Sequence, residues 1–111
     1  MRRLILALGY SLKGLRYAFA SQQAFRLDVL LFVCFSPLVF YLTGDAVRRA
    51  MLIGSLFLIL LAELANTAIE TTIDRISTES HPLSGHAKDI GSALVLLALL
   101  NALVIWALLL L

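Results

Sequence analysis

Residues 50–74 read AMLIGSLFLILLAELANTAIETTID, and this stretch decides the fold. Its first thirteen residues, Ala50 to Ala62, carry no charge and almost no polarity. Glu63, Asn66, Thr67, Glu70 and Asp74 then follow. A helix turns about 100° per residue, so with Glu63 at zero, Asn66 falls at about −60°, Thr67 at about +40°, Glu70 at about −20° and Asp74 at about +20°. Three carboxylates, an amide and a hydroxyl therefore share one stripe. It begins inside an apolar span and runs out to where that span meets water. An ionisable group inside a membrane helix is costly and by default marks function.

The rest of the chain supports a membrane reading. Its 111 residues suffice for one domain, 1–111. An apolar content of 61% and a mean hydropathy of +0.97 lie far above the roughly 45–50% apolar norm of soluble domains. A soluble chain of this length has too little interior to hide that surface. The predicted fold is an all-α membrane protein with spans at 27–42, 47–70 and 90–111. The first is short and interrupted by Pro37, so a kink or tilt is expected. The second continues as a polar helical extension to about Ile76, and the third is about 33 Å long at 1.5 Å per residue. Ahead of them, Leu4, Leu8, Leu12, Leu15 and Phe19 recur at helical spacing, with Arg2, Arg3, Lys13 and Arg16 on other faces. Residues 1–25 are therefore expected to form an amphipathic helix on the membrane surface. Lys13 and Arg16 interrupt the apolar run that a signal peptide would need.

Basic residues set the orientation. With the N-terminus cytoplasmic, Arg2, Arg3, Lys13, Arg16, Arg26, Arg75 and Lys88 lie inside and only Arg48 and Arg49 outside. The segment 74–89 then faces the cytoplasm, where ATP is available. A formal charge of +2 spread along the chain gives no nucleic-acid footprint. Cys34 is the only cysteine, so no intrachain disulfide can form. Trp106 is expected to anchor the outer interface.

Two constellations can carry chemistry. On the second span, Glu63 and Glu70 are about 10 Å apart along the axis. Glu70 lies near the interface, within reach of a divalent cation carrying nucleotide phosphates. Glu63 lies deeper, where a lipid hydroxyl would reach it and burial would make it a stronger base. The second constellation is TESHPLSGHAKDIGS, residues 78–92, in which Lys88 and Asp89 are expected at the N-terminal end of the third helix. A lysine beside free helix amides suits a phosphate. His81, His86 and Glu79 match no strong zinc spacing, and the chain has neither a Walker A sequence nor a kinase glycine loop.

ELANTAIETTIDRIS and HPLSGHAKDIGSALV resemble the signature region of the prokaryotic diacylglycerol kinase family. GYSLKGLRYAF and AFRLD resemble the same family's surface helix and its junction with the first span. The resemblance covers nearly the whole chain, and its E-x-x-N-x-x-x-E-x-x-x-D core with A-K-D is specific. It implies a small bacterial inner-membrane enzyme with three transmembrane helices and a surface helix, assembled as a homotrimer. Such an enzyme transfers the γ-phosphate of ATP, with Mg2+, to the hydroxyl of a membrane lipid.

Carried over onto this chain, Glu63 matches the general base and Glu70 a magnesium ligand. Lys88 and Asp89 match nucleotide contacts. Arg3, Tyr10, Asn66, Asp74, Glu79 and His81 fall where similar proteins line the nucleotide site. Arg16, Arg49 and Ser92 fall, with Glu63, at positions associated with the lipid. The family pattern has a second metal-site glutamate before AFR, where this chain has Gln22. An amide oxygen can still ligate magnesium, but it brings no charge, so weaker magnesium binding is expected. Asp28 matches another acidic position after AFR.

The expected reaction is phosphorylation of diacylglycerol to phosphatidic acid at the cytoplasmic face. GYSLKGLR and AFRLD look more like the diacylglycerol branch than the neighbouring undecaprenol kinase branch. A small proton-coupled transporter is the rival from another class. Polar groups crowded on one side, and three spans instead of an even repeat-built set, disfavour it.

Overall fold

All 111 residues are described in the computed structural model, and four helices account for nearly all of them. They are α1 (Arg2–Ser21), α2 (Gln23–Leu42), α3 (Ala46–Ile76) and α4 (Pro82–Leu110). The last three are each long and apolar enough to cross a membrane. α3 lies at the centre, packed against both α2 and α4, while α1 touches the rest lightly and buries only Ala18.

The α1–α2 junction is tighter than the sequence suggests. The helix break falls on Gln22 alone, in extended conformation (φ −118°, ψ 112°), so α1 stops at Ser21 and the first spanning helix starts at Gln23. Arg26 stabilises the elbow by donating from Nη1 to the α1 carbonyls of Phe19 at 2.8 Å and Ala20 at 3.1 Å. A cation at a helix C-terminus satisfies orphan carbonyls and complements the helix dipole. α2 then runs without a break through Pro37 to Leu42.

The turn from α2 to α3 is set by short-range polar contacts. Asp45 caps α3, its Oδ2 accepting from the Arg48 amide at 2.9 Å. Arg49 closes the other side, donating to the carbonyls of Thr43 at 2.9 Å and Phe40 at 3.3 Å and stacking 4.7 Å over the Phe40 ring. The 31 residues of α3 extend about 46 Å, well beyond a hydrocarbon core of about 30 Å. Its polar end therefore projects past the apolar zone.

α4 departs most from expectation. It begins at Pro82, so Lys88 and Asp89 lie in its second turn and not at its N-terminus. The cause is local. Pro82 occupies the first helical turn, where its missing N–H costs nothing, and His81 Nδ1 accepts from the Leu83 amide at 3.1 Å as the N-cap. The connection between α3 and α4 shrinks to residues 77–81.

The buried core is small: Leu56, Ile59 and Ala62 of α3 meet Ala98 and Ala102 of α4, with Phe32, Val95 and Trp106 packed around them. The alanines let the two helix backbones approach closely, as in membrane helix pairs. Trp106 turns inward, unlike an interfacial anchor. Its indole N–H donates to Ser55 Oγ at 3.0 Å and lies 3.3 Å from the Leu52 carbonyl, and its ring meets Phe35 edge-on at 5.8 Å.

Candidate active site

Glu63 is buried, only 8% exposed, although it is charged and sits one residue after the apolar run. One turn on, Thr67 is also buried, and its hydroxyl donates back to the Glu63 carbonyl at 2.9 Å. Across the α2–α3 contact, the Asp28 carboxyl lies beside the Glu63 carboxyl. Asp28 Oδ2 is buried without an N–H or hydroxyl donor. The deep end of the stripe is thus an acid pair built from two helices.

Further along α3, Asn66 Nδ2 donates to Glu70 Oε1 at 3.2 Å. This i, i+4 contact fixes the orientation of the Glu70 carboxylate. Beyond it, Lys88 reaches from α4 to Asp74 Oδ1 at 2.8 Å, the only salt bridge of the chain. Both side chains are about half exposed, at 44% and 54%. An exposed pair of this kind contributes little to stability. Lys88 is therefore held in place but exchangeable toward a more highly charged partner.

The loop supplies a small polar recess of about 170 Å³ lined by Glu79, His81, Ser84, Gly85 and Lys88 among others. His81 is committed through Nδ1 to the α4 cap, and the Glu79 amide donates to Ser77 Oγ at 3.0 Å. Asp89 and Ser92 are exposed on α4. Glu63 faces α2, while Asn66, Glu70, Asp74, Lys88, Glu79 and His81 follow the α3–α4 seam and its connecting loop toward one end of the molecule.

Other expected residues are not brought into that seam. Arg3, Tyr10 and Arg16 are exposed on α1, with Lys13 Nζ 5.9 Å above the Tyr10 ring. Gln22 is half-buried in the elbow. Arg49 is spent on capping α2, about 21 Å from Glu63 along α3. Between α1 and α3 runs an open groove of about 630 Å³, lined on one side by Ser11, Gly14 and Leu15 and on the other by Leu64, Thr67 and Thr71. It passes one turn from Glu63 and mixes apolar walls with hydroxyls.

No three His, Cys, Asp or Glu side chains converge into a metal cage. The donors present are a Glu70 carboxylate oriented by an amide and, in the elbow, the amide of Gln22. These hard oxygen donors suit magnesium, which is usually held by one or two carboxylates together with substrate phosphates. The donor set fits a metal delivered with a nucleotide.

Asp28 is the residue whose place the sequence understated. Its signal was present: Phe25, Asp28, Phe32, Ser36 and Val39 recur at helical spacing and form the inward face of α2.

Comparison with known proteins identifies the family. The model of the family described as prokaryotic diacylglycerol kinase matches residues 9–110. The diacylglycerol kinase of Pseudomonas aeruginosa is 47% identical over 111 residues, covering 100% of this chain and 90% of the relative. That of Escherichia coli K12 is 44% identical over 108 residues, covering 97% and 88%. That of Helicobacter pylori J99 is 41% identical over 105 residues, covering 95% and 82%. With the match extending from α1 through α4, the chain belongs to the prokaryotic diacylglycerol kinase family.

Proposed function

We propose that this protein phosphorylates diacylglycerol to phosphatidic acid, using magnesium-ATP at the cytoplasmic interface of the bacterial inner membrane. The observation that carries this is the arrangement on α3. A buried carboxylate, Glu63, sits at lipid depth, and an oriented carboxylate, Glu70, lies about 10 Å further out with Lys88 beyond it. A reaction between a membrane alcohol and a soluble nucleotide needs those two depths on one rigid element.

Phosphoryl transfer depends mainly on positioning and charge neutralisation. Glu63 takes the proton of the lipid hydroxyl as the new P–O bond forms, and Asp28 holds its carboxyl in place. Lys88 exchanges its weak pairing with Asp74 for the phosphate oxygens. Glu79, His81 and Asp89 border the nucleotide from the loop and α4. Glu70 would hold magnesium, with the Gln22 amide oxygen as second donor, and the ion would neutralise triphosphate charge. Arg16 and Ser92 contact the lipid at the near interface, and Arg49 does so at the far end of α3.

A homotrimer completes the site. Only 13 of 111 residues are buried in one chain, and Arg3 and Tyr10 stand away from the seam of their own subunit. α1, lying on the membrane surface, presents them to a neighbour. The excess of basic residues at the end carrying α1 and the α3–α4 loop supports a cytoplasmic position for that end. The test is transfer of labelled γ-phosphate from ATP, with diacylglycerol and undecaprenol supplied in parallel. Label in phosphatidic acid supports the proposal; label in the polyprenyl phosphate, or in neither, refutes it.

A further inference from the structure

Gly91 is the one glycine of six whose side chain is excluded by a neighbour. A Cβ built there would overlap Asn66 Oδ1, lie 3.3 Å from Asn66 Cγ and 3.5 Å from Ile69 Cδ1. The other five glycines would meet nothing within 4 Å. Gly91 is buried inside α4, and no glycine of the chain has positive φ, so space and not backbone freedom requires it. The Asn66 amide thus occupies the space that a side chain at position 91 would need. Its Oδ1 is buried without a donor, which is costly for a polar atom, while its Nδ2 donates to Glu70 Oε1 at 3.2 Å. An amide free to turn would move its oxygen toward a donor.

We infer that Gly91 is a positioning residue for the metal-binding carboxylate. By admitting the Asn66 amide against α4, it fixes the direction of the Nδ2–H and hence of Glu70. The inference rests on the assignment of Glu70 to magnesium. A methyl group at 91 would either swing the amide away from Glu70 or push α4 from α3. Lys88 lies one turn earlier on α4, about 4.5 Å along the axis, so separation would disturb its pairing with Asp74 as well.

The test compares wild type, Gly91→Ala, Asn66→Ala and the double variant in detergent. Mn2+ binding in the presence of a non-hydrolysable ATP analogue is read by EPR, and the magnesium dependence of transfer is measured beside it. Gly91→Ala is expected to raise the metal half-saturation concentration about 5- to 20-fold, about 1–2 kcal/mol by the tenfold-per-1.4 relation. Adding Gly91→Ala to Asn66→Ala is expected to change it less than about twofold, because the side chain it strikes is gone. Equal effects in both backgrounds would make Gly91 a packing residue only, as would a loss of thermal stability without any change in metal binding. If Gly91→Ala does not fold, the double variant decides. A folded double variant with the metal binding of Asn66→Ala supports the inference, and an unfolded one overturns it. Failure of the kinase assignment itself looks different, because wild type would then neither bind the metal with nucleotide nor transfer phosphate.

Discussion

At the scale of the residue, the proposed chemistry rests on Glu63 and on what surrounds it. A carboxylate buried to 8% exposure beside a second acid is retained at a cost to stability, which its chemical use explains. Asp28→Asn puts a permanent amide donor beside Glu63, so Glu63 becomes a poorer acceptor for the substrate proton. Turnover is expected to fall at least about tenfold with the KM for ATP unchanged, since Asp28 lies at lipid depth. A rise in the ATP KM alone, in steady-state kinetics, would contradict this. Gln22→Glu restores a charge to the elbow and is expected to lower the magnesium concentration for half-maximal rate several-fold. An unchanged magnesium titration would remove Gln22 from the metal site. The α3 stripe was legible because helical periodicity alone brings Glu63, Asn66, Glu70 and Asp74 together. The partners across the seam, Asp28 and Gly91, were not. Which α2 residue meets which α3 residue depends on helix packing that no single-helix period encodes.

At the scale of the element, α4 carries the clearest difference between sequence and structure. Ser84-Gly85 reads as a turn signal, yet both residues are helical because Pro82 and His81 start the helix upstream of them. Those start signals were also in the sequence, and proline in the first turn outweighs the glycine behind it. The consequence is functional. Lys88 reaches the site from a helical flank facing α3, not from the helix N-terminus. His81→Ala removes the cap and is expected to lower stability by about 1 kcal/mol, read in thermal or denaturant unfolding. Lys88→Ala breaks only an exposed pair, so thermal unfolding is expected to shift little. The same variant is expected to raise the ATP KM at least about tenfold. A large stability loss with unchanged ATP affinity would make Lys88 a structural strut. Trp106 also shows tertiary structure overriding a compositional rule. A tryptophan near the end of a span is expected at the interface, but Ser55 offers an acceptor inside the bundle.

At the scale of the whole molecule, three spans and a nearly detached α1 leave a thin frame of 50 × 39 × 22 Å. Spans could be counted from composition, because about 20 apolar residues are needed per crossing. Subunit number could not, because no residue pattern within one chain separates lipid-facing from subunit-facing apolar surface. Shared sites can be tested by mixing subunits. If α1 of one chain serves α3 of another, inactive Glu63→Gln and inactive Tyr10→Ala subunits should regain activity when co-assembled. Mixtures no more active than either parent would confine each site to a single chain. The central claim is that Glu63 is the base of a lipid kinase. It is tested most directly by labelled γ-phosphate transfer from ATP to diacylglycerol by wild type and Glu63→Gln side by side, each first checked for nucleotide binding. The account predicts phosphatidic acid from wild type and a loss of about 100-fold or more from Glu63→Gln with nucleotide still bound. Label reaching the lipid at near wild-type rate in Glu63→Gln would contradict it.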